Sequence, residues 1–595
     1  MFMWRSAPES WSFTQLVSQA PAPEPMTQPL TDKDAAACPP ADAAAPTPLS
    51  GLRTAVIEVA RELAAGSADA VGSDRSGAMT LERPKRAEFG DYSTNAALLL
   101  ARTLGAAPRE VAERLGAALS ERLGSSLERF EVAGPGFVNL FLSDGWLTDA
   151  LAQALAAGAD LGAGTVARPE RILIEFVSAN PTGPIHVGHA RNAAYGDALG
   201  RMLELRGHRV EREFYVNDAG SQVRKFGESV KAHARGEDVA EDGYRGDYVA
   251  DLAARLPGAA SMDTAELGRA AVAAMVEEIK ASLAAFRVRG FDRWFFESTL
   301  HDGAPSPFAH TLALLEEQGH TYREDGALWL RTTAFGDDKD RVLERSDGEH
   351  TYFATDIAYH QDKRERGFER QIDVWGADHH GYMLRMKAAY EALGGDPAEL
   401  ELLIMQLVHL IRSGERAQMS KRAGEYVSLD DLVGEIGVDA SRWYLLARSH
   451  DTTVDLDLDL AREQSNENSV YYVQYAHARI ASMLARAGSE RVLAAIGSVE
   501  DGGRPPLHAA ERALIEQLLA FPDELAEAVE RRAPHRMATY VLELSQGFTA
   551  FYTDCRVLGA EPDTVESLRI ALSVASLRTI ARCLALLGVS APEHM

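Results

Sequence analysis

Apolar and polar positions divide the chain into stretches of different character. Residues 1–50 are rich in Ala, Pro, Ser and Thr without a helical or strand period, so they are predicted to form a disordered extension. From residue 51 to about 145 the pattern favours a small α/β domain. Its clearest elements are an amphipathic helix at "LRTAVIEVARELAAG" and two strands around the Gly-Pro-Gly turn of "FEVAGPGFVNLFLS".

Strand-like runs alternate with helical periods between residues 171 and 460, which favours a parallel sheet covered by helices. The predicted strands are "RILIEFV", "RVEREFYV", "QIDVWG" and "LELLIMQLVHL". A long helical insertion over 225–332 interrupts the alternation. Residues 461–595 show only helical periodicity, so the predicted fold is multidomain α/β with an all-α C-terminal domain.

Length, cysteine usage and charge narrow the class of protein. A chain of 595 residues exceeds one ordinary core, so three or four domains are expected. No apolar run approaches the roughly 20 residues of a membrane span. Cys38, Cys555 and Cys583 are too scattered for a disulfide framework or a paired metal motif, as in proteins of a reducing cytoplasm. A net charge of -27 argues against non-specific coating of nucleic acid, although a local basic surface is compatible with it.

A histidine pair stands in "SANPTGPIHVGHARN", which begins at Ser178 directly after a predicted strand. A strand, a loop and the start of a helix place free N–H groups and the positive end of the helix dipole at the loop, which suits a phosphate. His186 and His189 add donors, and Gly188 leaves space for a ligand. A metal site and a pair of ordinary loop histidines remain alternatives here. The metal would need a third ligand, and no acid or cysteine stands nearby at a suitable spacing.

A second polar loop, "GERAQMSKRAGEYVSL", follows an apolar run more than two hundred residues later. A lysine on such a loop, here Lys421, can neutralise the charge that develops on phosphates. Alone this is a weak signal, since most basic loops are simply solvated. Paired with the histidines, and with both loops behind predicted strands, it favours a nucleotide site.

Both loops resemble the signatures of the class I aminoacyl-tRNA synthetases: "HVGH" the first, and "QMSKR" the second, with Gln418 where the strictest form has lysine. Further stretches are similar in order and spacing to the arginyl-tRNA synthetases: "EFVSANPTGPIHVGHARN", "YVNDAGSQ", "YFATDIAYH", "VWGADHHGYMLRMKAA" and "NSVYYVQYAHARI". This resemblance extends over about residues 50–595.

The resemblance implies a Rossmann-like catalytic domain over 171–460, a tRNA-elbow-binding domain over 51–145 and an anticodon-binding domain over 461–595. It implies that L-arginine reacts with ATP to give arginyl-adenylate and pyrophosphate, and that arginine then passes to the terminal ribose of tRNA(Arg). In this family activation generally requires bound tRNA. Mg²⁺ is expected to arrive with ATP, with no metal site on the protein. We expect a cytoplasmic monomer without membrane contact.

The same resemblance implies the site residues. Those expected to bind ATP are His186, Gly188, His189, Gly376, Asp378, His379, Met419, Ser420, Lys421 and Arg422. Those expected to bind arginine are Ser178, Asn180, His189, Tyr352, Asp356 and His380. Those expected to contact tRNA are Arg83, Lys85, Arg86, Tyr472, Tyr475 and Arg479. The expected catalytic residues among these are His186, His189 and Lys421.

The expected arginine site agrees with the chemistry of a guanidinium, which forms strong, forked hydrogen bonds with carboxylates. "TYFATDIAYH" spaces Tyr352 and Asp356 four apart, on one face if the segment is helical. For this pair alone, a surface helix with one buried tyrosine is the alternative. For "YYVQYAHARI" the alternative to base stacking is a core stripe, and for "RPKR" it is a solvated turn.

Other functions fit the residues less well. A cysteinyl enzyme of the same class would usually carry zinc-binding cysteines, and a nucleotidylyltransferase with the same histidine motif would be much shorter. A non-catalytic tRNA-binding relative would have no use for the whole catalytic set. Some family members lack the second-signature lysine and carry one before the first signature. Here "NPTGPI" has no lysine, so the charge is expected from Lys421.

Overall fold

The computed structural model describes residues 47–65, 78–164, 166–416 and 427–595. Almost all of the predicted extension, 1–50, therefore lies outside the described residues. Its last residues, from Pro48 onward, already belong to the first helix.

The N-terminal domain is a small α/β unit, as predicted. Its elements are Pro48–Ala65 (α1), Leu81–Glu82 (β1), Tyr92–Thr94 (β2), Ala96–Leu104 (α2), Pro108–Leu123 (α3), Leu127–Ala133 (β3) and Phe137–Leu142 (β4). The strands form an antiparallel sheet of order β1-β2-β4-β3. The hairpin β3–β4 turns at Gly134, whose φ of 50° favours glycine. Helix Asp144–Ala157 (α4) then leads to the next domain.

Strands and helices alternate through the central domain. Its elements up to residue 416 are Arg171–Glu175 (β5), Val187–Arg206 (α5), Arg209–Val216 (β6), Gly220–Arg235 (α6), Asp247–Arg255 (α7), Thr264–Ala285 (α8), Arg293–Phe296 (β7), Pro307–Glu317 (α9), Thr321–Glu324 (β8), Ala327–Leu330 (β9), Arg341–Glu344 (β10), Tyr352–Glu365 (α10), Arg370–Gly376 (β11), Met383–Ala392 (α11), Leu400–Met405 (β12), Val408–Arg412 (β13) and Glu415–Arg416 (β14). From residue 427 it continues with Leu429–Leu446 (α12), Val454–Asp457 (β15) and Leu458–Arg462 (α13).

The central sheet has the strand order β12-β11-β5-β6-β7, and every neighbouring pair is parallel. Three consecutive residues of β5, Ile172, Leu173 and Ile174, are fully buried. Since successive side chains point to opposite faces of a sheet, both faces are covered, as in doubly wound α/β folds. The predicted parallel-sheet domain is confirmed.

The predicted helical insertion over 225–332 needs correction. Its continuous helical part ends at Ala285, because β7 then joins the edge of the central sheet beside β6, and α9 follows between β7 and β8. Strands β8 and β9 form a separate antiparallel sheet with β10. The four-residue segment "RWFF" is too short for its period to distinguish a strand from a helix, and only the pairing with β6 makes it a strand.

The predicted strand "LELLIMQLVHL" is two strands in the structure. β12 belongs to the central sheet, whereas β13 lies in a smaller sheet of order β14-β13-β15. The chain changes sheet at Gln406 and Leu407. A continuous apolar run reports burial alone, so the change of sheet is not visible in the pattern.

The C-terminal domain is helical throughout, as predicted. Its helices are Ser469–Ala487 (α14), Ser489–Glu500 (α15), Ala509–Leu519 (α16), Phe521–Glu530 (α17), His535–Asp554 (α18) and Asp563–Leu587 (α19). Among the described residues, α19 alone is long and apolar enough to cross a membrane, but 78% of its apolar window is buried in the protein. It packs against α14, α15 and α18 as the core helix of this domain.

A buried ion pair of the central domain also contacts the C-terminal domain. Asp197, on α5, accepts a hydrogen bond of 2.5 Å from Arg442 on α12, and both side chains are fully buried. Arg442 also donates to the backbone carbonyls of Phe286, just after α8, and of Leu587, at the end of α19. At Gly588 a Cβ would lie 2.3 Å from this guanidinium, and φ is 70°. Only glycine there lets the arginine reach the end of α19.

We expect Arg442→Met to destabilise the folded chain by about 3–5 kcal/mol, because it removes the fully buried partner of Asp197, leaving only Arg201 beside this carboxylate, and takes the donor from the carbonyls of Phe286 and Leu587. Thermal unfolding measures the effect. The control is Arg462→Met, which removes an exposed ion pair with Asp459 and should change stability by at most about 1 kcal/mol. Equal melting temperatures for the two variants would contradict the importance of this junction.

Candidate active site

Candidate site residues gather at the carboxyl ends of the parallel strands, the edge at which open α/β sheets bind ligands. Ser178 and Asn180 follow β5, Gly376 ends β11 with Asp378 just after it, and Glu297 follows β7. Residues far apart in the sequence therefore meet at one edge.

The histidine pair stands at the start of α5. His186 is the N-cap residue, and its Nδ1 accepts a hydrogen bond of 3.1 Å from the Gly188 N–H. The rings of His186 and His189 stack with their centroids 3.9 Å apart. Burial, together with His186, lowers the pKa of His189 to about 3, so this imidazole is neutral at physiological pH. Its Nδ1 has no hydrogen-bond partner among the described residues.

The His186 ring packs so closely against residue 188 that glycine is required there. A Cβ at residue 188 would lie 2.9 Å from Cε1 and 3.1 Å from Nδ1 of His186. Such contacts would displace the imidazole. The glycine of the motif therefore holds the histidine in position as well as leaving room for a ligand.

The second signature loop, residues 417–426, lies outside the described residues, and with it Gln418, Met419, Ser420, Lys421 and Arg422. Its neighbours are described. The N–H of Val187 donates to the carbonyl of Val427, and that of Leu429 to the carbonyl of Ile185. A β-bridge pairs His186 with Ser428. The chain that follows the second loop is thus hydrogen-bonded to the first signature.

The segment with Tyr352 and Asp356 is helical, so the two share one face of α10 as predicted. Tyr352 is 63% exposed. One oxygen of Asp356 accepts a hydrogen bond of 2.5 Å from the hydroxyl of Tyr382. Burial raises the pKa of Asp356 to about 6, although the Tyr382 hydrogen bond acts against it. Among the described residues no lysine or arginine forms an ion pair with this carboxyl group.

A second carboxyl group faces the same space and was missed in the sequence. Glu297 accepts a hydrogen bond of 2.8 Å from the hydroxyl of Tyr215, and burial raises its pKa. The charge of Glu297 contributes to the raised pKa of Asp356. Had "RWFF" been recognised as a strand, Glu297 would have been expected at its carboxyl end.

The loop after β5 is held in place by hydrogen bonds of Ser178. The hydroxyl of Ser178 donates to Glu175 at 2.7 Å and accepts from the Tyr215 N–H at 3.1 Å. Val177 and Ser178 have φ values of 70° and 39°, a backbone conformation that costs energy in non-glycine residues. Asn180 is exposed.

The residues expected to approach the adenosine lie in the turn after β11. Asp378, His379 and His380 are exposed there. The ring of His379 lies 5.7 Å from that of Trp375. At Gly376 a Cβ would lie 2.7 Å from the carboxylate of Asp378, an exposed side chain that would have to move.

Of the residues expected to contact tRNA in the N-terminal domain, Arg83 forms an ion pair of 2.6 Å with Glu516 of the C-terminal domain. Lys85 is exposed, and Arg86 pairs at the surface with Glu88 at 3.3 Å. All three residues are exposed, and Arg83 differs only in its pairing with another domain.

The expected tRNA contacts of the C-terminal domain lie along α14. Tyr475 is 43% exposed and stacks in parallel with Tyr471. One turn further, the Arg479 guanidinium covers the ring of Tyr552 at 4.5 Å. Tyr472 differs, because its hydroxyl donates to Thr549. The alternative of a core stripe thus applies to the neighbouring buried positions rather than to this exposed row.

Comparisons with known proteins agree with this arrangement domain by domain. Residues 52–142 match the model of the arginyl tRNA synthetase N terminal domain. Residues 150–239 and 297–482 match that of the tRNA synthetases class I (R) catalytic domain, and residues 473–595 match that of the DALR anticodon binding domain.

Whole proteins are similar as well. The arginine--tRNA ligase of Geobacillus thermodenitrificans is 45% identical over 552 residues, which cover 89% of this chain and 97% of that protein. That of Bacillus subtilis is 44% identical over 531 residues, covering 87% and 94%. The solved arginyl-tRNA synthetase of Thermus thermophilus has the same fold, with a TM-score of 0.70, 24% identity and coverage of 92% of this chain and 99% of that one.

The parallel sheet and the matched catalytic model define a class I aminoacyl-tRNA synthetase. Within that class, the matches along the whole length place the chain in the arginyl-tRNA synthetase family. It is a ligase that activates L-arginine with ATP and transfers the arginine to the 3'-terminal ribose of tRNA(Arg), releasing pyrophosphate and then AMP.

We expect Gly188→Ala to lower the rate of arginine activation by about 100-fold, since even a 1 Å misplacement of a catalytic group can have this effect. The control is Gly434→Ala, where a Cβ meets nothing within 4 Å. ATP–pyrophosphate exchange gives the rate, and thermal unfolding checks that both variants fold. An unchanged rate for Gly188→Ala would show that the position of the His186 ring does not matter.

Proposed function

We propose that Asp356 and Glu297 together recognise the guanidinium of L-arginine, with Tyr352 and Tyr382 beside it. The observation that carries this proposal is a buried carboxyl group of raised pKa, hydrogen-bonded by a tyrosine and with no cationic partner among the described residues. An isolated buried carboxylate is costly until a cation pairs with it. A forked guanidinium supplies both the charge and the donors.

At the other end of the substrate, Ser178, Asn180 and His189 hold the amino and carboxylate groups of arginine, with His380 nearby. Their position at the carboxyl end of β5 supports this role, because it lies across the sheet edge from α10. An amino acid that binds at both ends has its carboxylate fixed in one place. Fixing the nucleophile in this way supplies much of the catalysis.

ATP binds against the histidine pair and the turn at Gly376 and Asp378. Neutral His189 donates one hydrogen bond to a phosphate oxygen, as does His186, and the free N–H groups at the start of α5 add to them. The arginine carboxylate attacks the α-phosphorus in line, and pyrophosphate leaves. Little covalent protein chemistry is required, so positioning and charge stabilisation dominate.

Lys421 neutralises the charge on the leaving pyrophosphate, together with Met419, Ser420 and Arg422 of the same loop. The hydrogen bonds between the chain after this loop and Ile185–Val187 support its proximity to the phosphates. Mg²⁺ enters with ATP. Among the described residues no group of three His, Cys, Asp or Glu side chains is placed to hold a metal ion.

The outer domains bind tRNA(Arg). The exposed row of Tyr475 and Arg479, with Tyr472 beside it, supports stacking on unpaired anticodon bases. Lys85 and Arg86 contact phosphates at the elbow, and Arg83 would have to exchange Glu516 for a phosphate to join them. Bound tRNA is needed before arginine is activated. The enzyme acts as a monomer in the cytoplasm.

The experiment that tests this function is ATP–pyrophosphate exchange with each of the twenty amino acids, with and without total tRNA. Exchange with arginine alone, and only with tRNA, is the expected outcome. Exchange with arginine in the absence of tRNA would contradict the tRNA requirement. Exchange with another amino acid would contradict the role of Asp356 and Glu297.

The raised pKa of Asp356 predicts a pH dependence. Below about pH 6 the free enzyme holds this carboxyl group protonated, and it cannot pair with the guanidinium. The kcat/KM for arginine should therefore be constant above this pH and fall about tenfold per pH unit below it. The kcat/KM for arginine of Asp356→Asn should be at least about 100-fold lower and lack this inflection. The same inflection in Asp356→Asn would assign the titration to another group.

A further inference from the structure

Beneath the proposed arginine site lies a buried lysine that the reaction does not use directly. Lys363, on α10, is fully buried and donates to Glu175 of β5 at 2.6 Å and to Asp373 of β11 at 2.7 Å. Its ammonium also lies 4.2 Å from the centre of the Tyr359 ring. The two carboxylates raise the pKa of Lys363 well above its usual range despite burial. The group therefore stays charged.

Glu175, one of the two carboxylates bound by Lys363, connects the lysine to the loop after β5. Glu175 uses one oxygen for Lys363 and the other for the hydroxyl of Ser178, at 2.7 Å. Ser178 in turn accepts the Tyr215 N–H. This chain of hydrogen bonds holds a residue whose backbone has a strained positive φ. It fixes the side of the site proposed to hold the amino and carboxylate groups.

Asp373, the other carboxylate bound by Lys363, connects the lysine to the proposed guanidinium site. Asp373 uses its second oxygen for Nε2 of His360, at 2.8 Å. Nδ1 of His360 lies 2.7 Å from the backbone carbonyl of Asp356. The His360 ring therefore connects the Asp373 carboxylate to the backbone carbonyl of Asp356 on the same helix.

We propose that Lys363 is a positioning residue that sets the distance between the two ends of the arginine site. The inference rests on the roles proposed above for Ser178 and Asp356. Asp356, His360 and Lys363 lie on one face of α10 at helical spacing, so the helix and strands β5 and β11 are joined through a single ammonium group. A substrate that must bind at both ends depends on that distance.

Apolar side chains in place of Lys363 and both of its carboxylates would cost little stability, because whole buried ion clusters often contribute little net free energy. The matched case is on the same helix. Arg366 binds the carboxylate of Glu213 at 2.7 and 2.8 Å, and Glu213 faces Glu175 across the β5–β6 pair. Arg366 therefore also neutralises a buried strand carboxylate. Its hydrogen-bond partners do not include Ser178, Asp356 or His360.

The test compares Lys363→Met with Arg366→Met. Lys363→Met removes the ammonium that Glu175 and Asp373 share, and Arg366→Met leaves Glu213 with only Arg293, at 3.7 Å. Both variants should unfold at reduced temperatures. In Lys363→Met the KM for arginine should rise at least about tenfold, while the KM for ATP changes less than about threefold. In Arg366→Met both KM values should change less than about threefold. An equal rise in the arginine KM of both variants, or none in either, would overturn the proposal.

Asp373→Asn keeps the Glu175–Lys363 pair and cuts only the side that leads to Asp356, so it takes the place of Lys363→Met if that variant does not fold. Its inhibition constant for agmatine, which has the guanidinium but no carboxylate, should rise by about the same factor as its KM for arginine. Unchanged values would overturn the proposal.

The Asp356→Asn variant distinguishes a failure of the lysine proposal from a failure of the proposed arginine site. If it loses arginine use while Lys363→Met and Asp373→Asn do not, the site stands and the lysine is only structural.

Discussion

The direction of the central strands is the constraint on which the rest of the structure depends. In a parallel sheet every strand ends at the same edge, so each loop that follows a strand is delivered to one place. That edge collects Ser178 after β5, Glu297 after β7 and Asp378 after β11. The chain supplies these residues from positions at least 81 residues apart, and no local feature brings them together. The class I site is a consequence of this geometry.

Helix α5 connects this edge to the rest of the molecule. Its start carries His186 and His189, the proposed phosphate-binding pair. Two turns later Asp197 holds Arg442, which caps the end of α19 in the C-terminal domain. The chain after the second signature loop is hydrogen-bonded to the start of the same helix. One rigid element is thus shared by the nucleotide site, the second signature and the tRNA-binding domain.

The buried charged groups at two positions of α10 differ in their partners. At Lys363 the carboxylates and the ammonium are paired inside the protein, which makes the region beneath the site rigid. At Asp356 the carboxyl group has a tyrosine hydroxyl but no lysine or arginine partner in the described part of the chain, which leaves it free for the cation of the proposed substrate site. On the same helix, the charges around Lys363 are paired within the protein, whereas the carboxyl group of Asp356 can pair with a ligand.

Local patterns were sufficient for the helices, for the hairpin around Gly134 and for the two signatures. Their determinants are periodicity, turn residues and motif spacing, all of which act over short distances. The sequence alone also determined the family, because its motifs extend through every domain. The strand "RWFF" and the split of "LELLIMQLVHL" were decided only by the tertiary structure. A short apolar run becomes a strand through the neighbour with which it pairs. The partners of Glu297, Arg83 and Lys363 were likewise invisible, since hydrogen bonds and ion pairs between distant segments depend on which chains the folded sheet brings side by side.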